Sequence, residues 1–219
     1  MSTQKDLKLK HDVEAELEWD PAVDARKIGV AAIGGVVTLT GHVRSYPEKW
    51  NAEKIAKRIH GVQGVANEIE VRLASDDHLD DEEIVQAALT ALRWNFTVPK
   101  DRIRVMVTKG FLTLEGEVDW HYQKRAAEDA VRYQRGVLGI SNQIVVKAHV
   151  YAGDVKSKIE AALKRSAEVD SKHVLVETSD GSVTLRGRVR SWAEHDDALS
   201  AAWAAPGVTK VVDHMSIAP

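Results

Sequence analysis

The sequence predicts an α+β protein made of three tandem αββαβ units, each a two-layer sandwich of two helices on a three-stranded sheet. Three observations carry this. A seven-residue stretch is written three times, as Gly35-Val-Val-Thr-Leu-Thr-Gly41, Gly110-Phe-Leu-Thr-Leu-Glu-Gly116 and Gly181-Ser-Val-Thr-Leu-Arg-Gly187, at offsets of 75 and then 71 residues. Around each copy the apolar period switches in the same order between that of a helix and that of a strand. Each copy is also followed by a Gly-Val pair (Gly61-Val62, Gly136-Val137, Gly207-Val208) and then by Asn67, Asn142 or Asp213 heading an alternating apolar run. The units fall at residues 1–73, 79–147 and 152–219.

Each unit opens with a helix. Leu9, Val13 and Leu17 form one stripe, as do Ile84, Ala88, Leu89 and Leu92, and Val155, Ile159 and Leu163. The acidic run Asp80-Asp-Glu-Glu83 suits a helix N-terminus, where unpaired N–H groups are positive. Trp19 and Trp94 end the first two helices at equivalent positions and are expected to pack, while the third unit has Arg165 there. A short alternating strand follows (Ile28/Val30, Ile103/Val105/Val107, Val174/Val176), and Gly35, Gly110 or Gly181 then reverses the chain.

The next strand should turn Val37, Leu39 and Val43 inward, with Leu112, Leu114 and Val118, then Val183, Leu185 and Val189, as counterparts. Gly41, Gly116 and Gly187 lie on the same face, where they are expected to let a helix approach the sheet. An alanine-rich second helix comes next (Ala52, Ile55, Ala56; Ala127, Ala130, Val131; Ala198, Ala201, Ala202), ended by Gly61, Gly136 or Gly207. The last strand runs through Ile69/Val71, Ile144/Val146 and Met215/Ile217. Strand order is left open. The joining segments, residues 72–80 and 147–153, are short, proline-free tethers.

At 219 residues, 44% hydrophobic and 29% charged, the chain has the composition of a globular protein. Its net charge of −3 argues against duplex nucleic acid as the main partner. It has no cysteine. No apolar run approaches the roughly 20 residues of a membrane-spanning helix, and residues 1–10 lack the apolar core of a secretory leader. The expectation is therefore a cytoplasmic protein, or a periplasmic one if a leader precedes it.

Chemistry is sparse. No histidine recurs in all three units, and His195-Asp196-Asp197 is expected to be a solvated helix face, with Lys49 and Lys124 at the His195 position in the other units. Ser45 and Ser191 have no nucleophile elbow around them. Gly61-Val-Gln-Gly64 and Gly136-Val-Leu-Gly139 have the form of an RNA-clamping loop, but carry no cation between their glycines. No catalytic residue, metal ligand or cofactor is expected. What stands out is an aromatic edge between the second strand and second helix: Tyr46, Trp50, Trp120, Tyr122 and Trp192, with Arg44, Lys49, Lys124, Arg125 and Arg190 nearby. Such a mixture suits a lipid headgroup boundary, a protein interface or the rim of a core. On the outward face of the second strand, Glu115, Glu117 and Asp119 stand where the third unit has Arg186, Arg188 and Arg190. The arginines are candidates for pairing with the acids or for meeting anionic lipid.

Taken together, the glycine ladder, the "GxVxLxGxV" strand, the "GV" pair and the "NxIxV" strand resemble the BON domain, named for bacterial OsmY and nodulation proteins. The resemblance covers nearly the whole chain. It implies a non-enzymatic module, used in repeats and associated with the bacterial envelope, osmotic stress and phospholipid surfaces. The alternative is a cytosolic protein–protein adaptor or chaperone-like scaffold using the same aromatic edge.

Overall fold

The computed structural model describes residues 3–147, 154–166 and 173–218. In unit 1, helix α1 (Gln4–Trp19) precedes the hairpin β1 (Ile28–Ile33) and β2 (Val36–Val43). Helix α2 (Tyr46–Arg58) then leads to a last strand in two pieces, β3 (Gly64–Asn67) and β4 (Glu70–Val71). Unit 2 repeats this as α3 (Asp81–Trp94), β5 (Ile103–Thr108), β6 (Phe111–Val118), α4 (His121–Arg132), β7 (Gly139–Asn142) and β8 (Val145–Val146). Unit 3 consists of α5 (Val155–Arg165), β9 (Val174–Ser179), β10 (Ser182–Val189), α6 (Trp192–Trp203) and an unbroken last strand β11 (Lys210–Ile217). Most of the tether at residues 147–153 lies outside the described residues. The other tether contains a short 3-10 turn, Ser75–Asp77, held to unit 2 by an ion pair from Asp77 to Arg135 at 3.1 Å.

The strand order, open in the sequence, is first-second-last, with the second strand central. It is antiparallel to the first strand and parallel to the last, so the second helix is the crossover between parallel neighbours. Each hairpin turns on two residues of positive φ: Gly34-Gly35, Lys109-Gly110 and Asp180-Gly181. Two left-handed residues match the strand twist in such short loops. The turns are held from below, since Asp6 accepts the Gly34 N–H at 2.8 Å and Asp81 accepts those of Lys109 (2.8 Å) and Gly110 (2.9 Å). Asp80 caps α3 and forms a capping box with Glu83. Ser45 and Ser191 cap α2 and α6.

The inward faces are those the alternation predicts. Val37, Leu39, Leu112, Leu114, Val183 and Leu185 are completely buried, under Ala52, Ala127 and Ala198 of the second helices.

Two packing expectations change. Trp19 and Trp94 do not pack: they are 82% and 84% exposed. The second glycine of each stretch is explained by a strand, not a helix. A Cβ on Gly41, Gly116 or Gly187 would lie 2.0, 2.1 or 1.9 Å from the carbonyl oxygen of Lys27, Arg102 or His173, the residue just before the first strand. All three glycines also have positive φ, at 104°, 142° and 136°. The incoming chain crosses the central strand where no side chain can stand. Replacing Gly116 by alanine should therefore cost about 1–3 kcal/mol, read as a lowered melting temperature with native far-UV dichroism in the folded state. A variant that melts with the parent removes the crossing as a constraint.

Candidate functional site

The units meet through their second helices. Tyr46, at the start of α2, packs against the core of unit 2, and its phenol contacts the Ile140 backbone in β7. One turn on, the Trp50 ring lies under the Arg132 guanidinium from the end of α4, 3.9 Å away. His121, at the start of α4, stacks on Trp203 at the end of α6, with ring centroids 4.1 Å apart and 8° between planes. Trp192, at the start of α6, packs against the core of unit 1 under the Lys57 ammonium from α2, 4.9 Å from its ring.

Tyr46, His121 and Trp192 occupy one position of the repeat, and Lys57, Arg132 and Trp203 another. Each contact therefore joins the start of one second helix to the end of the next, from unit 1 to 2, 2 to 3 and 3 back to 1. A head-to-tail contact that returns to its origin is a closed ring with approximate threefold symmetry. Here the ring is made within one chain.

Burial decides the electrostatics of the junctions. It raises the Tyr46 phenol, with the Glu128 charge adding to the effect. It pushes His121 down to about 4, helped by the Arg125 and Lys124 charges, so the stacked imidazole is neutral near pH 7. Arg132 is only 7% exposed, yet pairs with Asp129 at 2.6 Å and Glu128 at 3.2 Å. Among the described residues its Nε has no hydrogen-bond acceptor, a cost offset by the indole against the guanidinium.

The aromatic edge of the sequence is thus divided. Tyr46, Trp50 and Trp192 stand in junctions; Trp120 is half-buried just before α4, at the position Ser45 and Ser191 hold elsewhere; Tyr122 is 58% exposed. Four of the six charge-ladder residues pair inside their own units. Asp119 pairs with Arg102 at 2.8 Å and Glu117 with Lys147 at 3.9 Å, while Arg186 pairs with Glu177 and Arg190 with Glu194, both at 3.3 Å. Arg188 is exposed.

The most exposed aromatic residues among those described lie elsewhere, at the end of α3 and in the loop after it. Trp94 is 84% and Phe96 95% exposed, and Asn95 between them is tied down on every side. Its side-chain amide donates to the Ala126 carbonyl (3.4 Å), and its Oδ1 accepts the Thr97 N–H (3.1 Å) and hydroxyl (2.6 Å). Val98, buried at 5%, anchors the far side. Two large apolar side chains are held out from a fixed backbone. A sequence pattern could not separate them from core residues, because an apolar residue closing a helix looks the same covered or bare.

The family model for the BON domain matches residues 5–72, 80–148 and 152–219. The chain belongs to the BON family. It is similar to osmotically-inducible protein Y of Escherichia coli (strain K12), 37% identical over 145 residues, which cover 61% of this chain and 70% of that protein. Among solved structures it matches CdsD, a structural protein of the type III secretion system of Chlamydia trachomatis. That match has 17% identity and a TM-score of 0.27, covering 97% of this chain and 93% of that one.

The three BON units differ where the second helix is tied to the last strand. In the first two, Asn67 and Asn142 donate from Nδ2 to the helix, to the Lys49 carbonyl and Glu53 (both 3.2 Å) and to the Lys124 carbonyl and Glu128 (3.0 and 3.1 Å). The third BON unit has Asp213 there, 2.7 Å from His195 Nε2, and His195 Nδ1 is 3.2 Å from Asp196. His195 is 7% exposed, so it is not the solvated residue the sequence suggested.

The hydrogen bond to Asp196, then the hydrogen bond and charge of Asp213, raise the His195 pKa against the opposing effect of burial. A raised folded pKa stabilises fully below the unfolded value of about 6.5, and that stability is lost as pH rises through the folded value. The gap in melting temperature between the parent and Asp213→Asn should accordingly narrow from pH 6 to pH 8.5. A gap independent of pH would exclude an imidazolium–carboxylate tie.

Proposed function

We propose that this BON protein is a non-catalytic scaffold that contacts phospholipid surfaces, in the setting of osmotic or envelope stress that its similarity to osmotically-inducible protein Y suggests. The observation that carries the reading is the Trp94–Phe96 pair, exposed on a backbone fixed by Asn95. Rigid presentation lowers the ordering cost of binding, and Trp and Phe favour the headgroup level of a bilayer. Arg93 and Lys100, both exposed, flank the pair, which suits an anionic surface. Trp19 supports the same reading from unit 1, because equivalent positions of a threefold ring lie at one height along its axis.

Vesicles containing phosphatidylglycerol, at low and high salt, test this by co-sedimentation. Replacing Trp94 and Phe96 by alanine should reduce binding about tenfold or more with the far-UV spectrum unchanged. Parent protein that ignores vesicles at both salt concentrations would falsify the lipid reading and leave the same apolar pair to a protein partner, as an adaptor would require.

A further inference from the structure

Beside Trp94 lies a cleft of about 290 Å³, floored by Leu89, Leu92, Val98 and Ile103 and edged by Arg93, Lys100 and Asp101. Neither cation has an ion-pair partner among the described residues, and they outnumber the acid. We propose that this cleft binds one single-chain anionic amphiphile, its tail on the apolar floor and its charged head between Arg93 and Lys100. The volume is at the lower end of small-molecule sites, so the cleft takes the part of a chain nearest its head. The proposal rests on reading this loop as the lipid-facing end of unit 2, and it names the ligand class the loop would select.

Unit 1 supplies an internal comparison. The equivalent cleft, about 310 Å³, is present between α1 and β1 and is lined in part by Leu17, Ile28 and Val30. Its chemistry is reversed. Glu14 stands where unit 2 has Leu89, Glu18 where it has Arg93, and Ala25 where it has Lys100. Glu14 is itself engaged by Lys10 at 3.6 Å and His11 at 3.7 Å. The fold makes the cleft in both copies, but of the two it is unit 2 that adds Leu89 to the apolar floor and gives the cleft a cationic edge. Unit 1 would repel an anionic head.

The test is calorimetric titration of the full chain with lauroyl lysophosphatidylglycerol and with laurate, both below their micellar concentrations. Lauroyl lysophosphatidylcholine serves as the zwitterionic control. One molecule of either anionic amphiphile should bind per chain, about tenfold or more tighter than the control. The double variant L89E/R93E, which installs the unit 1 residues, should weaken binding by about tenfold or more with an unchanged melting temperature. The converse triple variant E14L/E18R/A25K should raise the stoichiometry to two. Equal affinity for the zwitterionic control, indifference to L89E/R93E, or binding only once micelles form would each overturn the proposal. One-to-one binding without any vesicle binding would support the cleft while removing the surface reading. Vesicle binding without one-to-one binding would do the opposite.

Discussion

A sandwich of roughly 70 residues buries too little apolar surface to be secure alone, and units 1 and 2 finish their cores with aromatic side chains from their neighbours. Unit 1 receives Trp192, unit 2 receives Tyr46, and Trp203 lies against the cores of both units 2 and 3. The arrangement depends on the starts and ends of the second helices matching around a closed circuit. Cations at the helix ends, Lys57 and Arg132, cover indole faces, a contact worth about 0.5–2 kcal/mol according to its desolvation. Because the circuit closes, each second helix is held at both its start and its end by a neighbour.

The three copies show which features the fold requires and which are free to vary. The crossing glycine is in all of them, since no side chain fits against the carbonyl that meets it. The cap of the second helix is chemically looser. Ser45 and Ser191 accept an N–H from Glu48 and Glu194, whereas Gln123 covers the backbone N–H groups of Asp119 and Trp120 in unit 2. The helix-to-strand tie changes from asparagine to an aspartate–histidine pair in unit 3. The clefts beside α1 and α3 have similar volumes while their charge differs in sign. Variation gathers at the caps, ties and clefts around a common apolar core, and the clefts, open to solvent, are where function would be written on a repeated scaffold.

Much of this was legible in the residues. The order of elements, the buried faces, the turn glycines and the acidic cap at Asp80 follow from local rules: strand alternation, helix period, positive φ and the polarity of a helix end. Other features needed the third dimension. Gly41, Gly116 and Gly187 could be placed on the inward face, but the atom that excludes a side chain belongs to Lys27, Arg102 or His173, beyond the reach of any spacing rule. His195 looked like a surface residue beside two acids, yet its decisive partner is Asp213, across the helix–strand interface. Trp50 and Trp94 are both tryptophans with basic neighbours in the sequence; one is covered by Arg132 from the next unit, and the other is bare. The sequence by itself determined what each unit is, because a unit's fold is set by contacts that repeat every few residues. Only the tertiary structure decided how the units close on one another and which aromatic residues remain outside, because those contacts join residues whose proximity exists only once three finished units have docked.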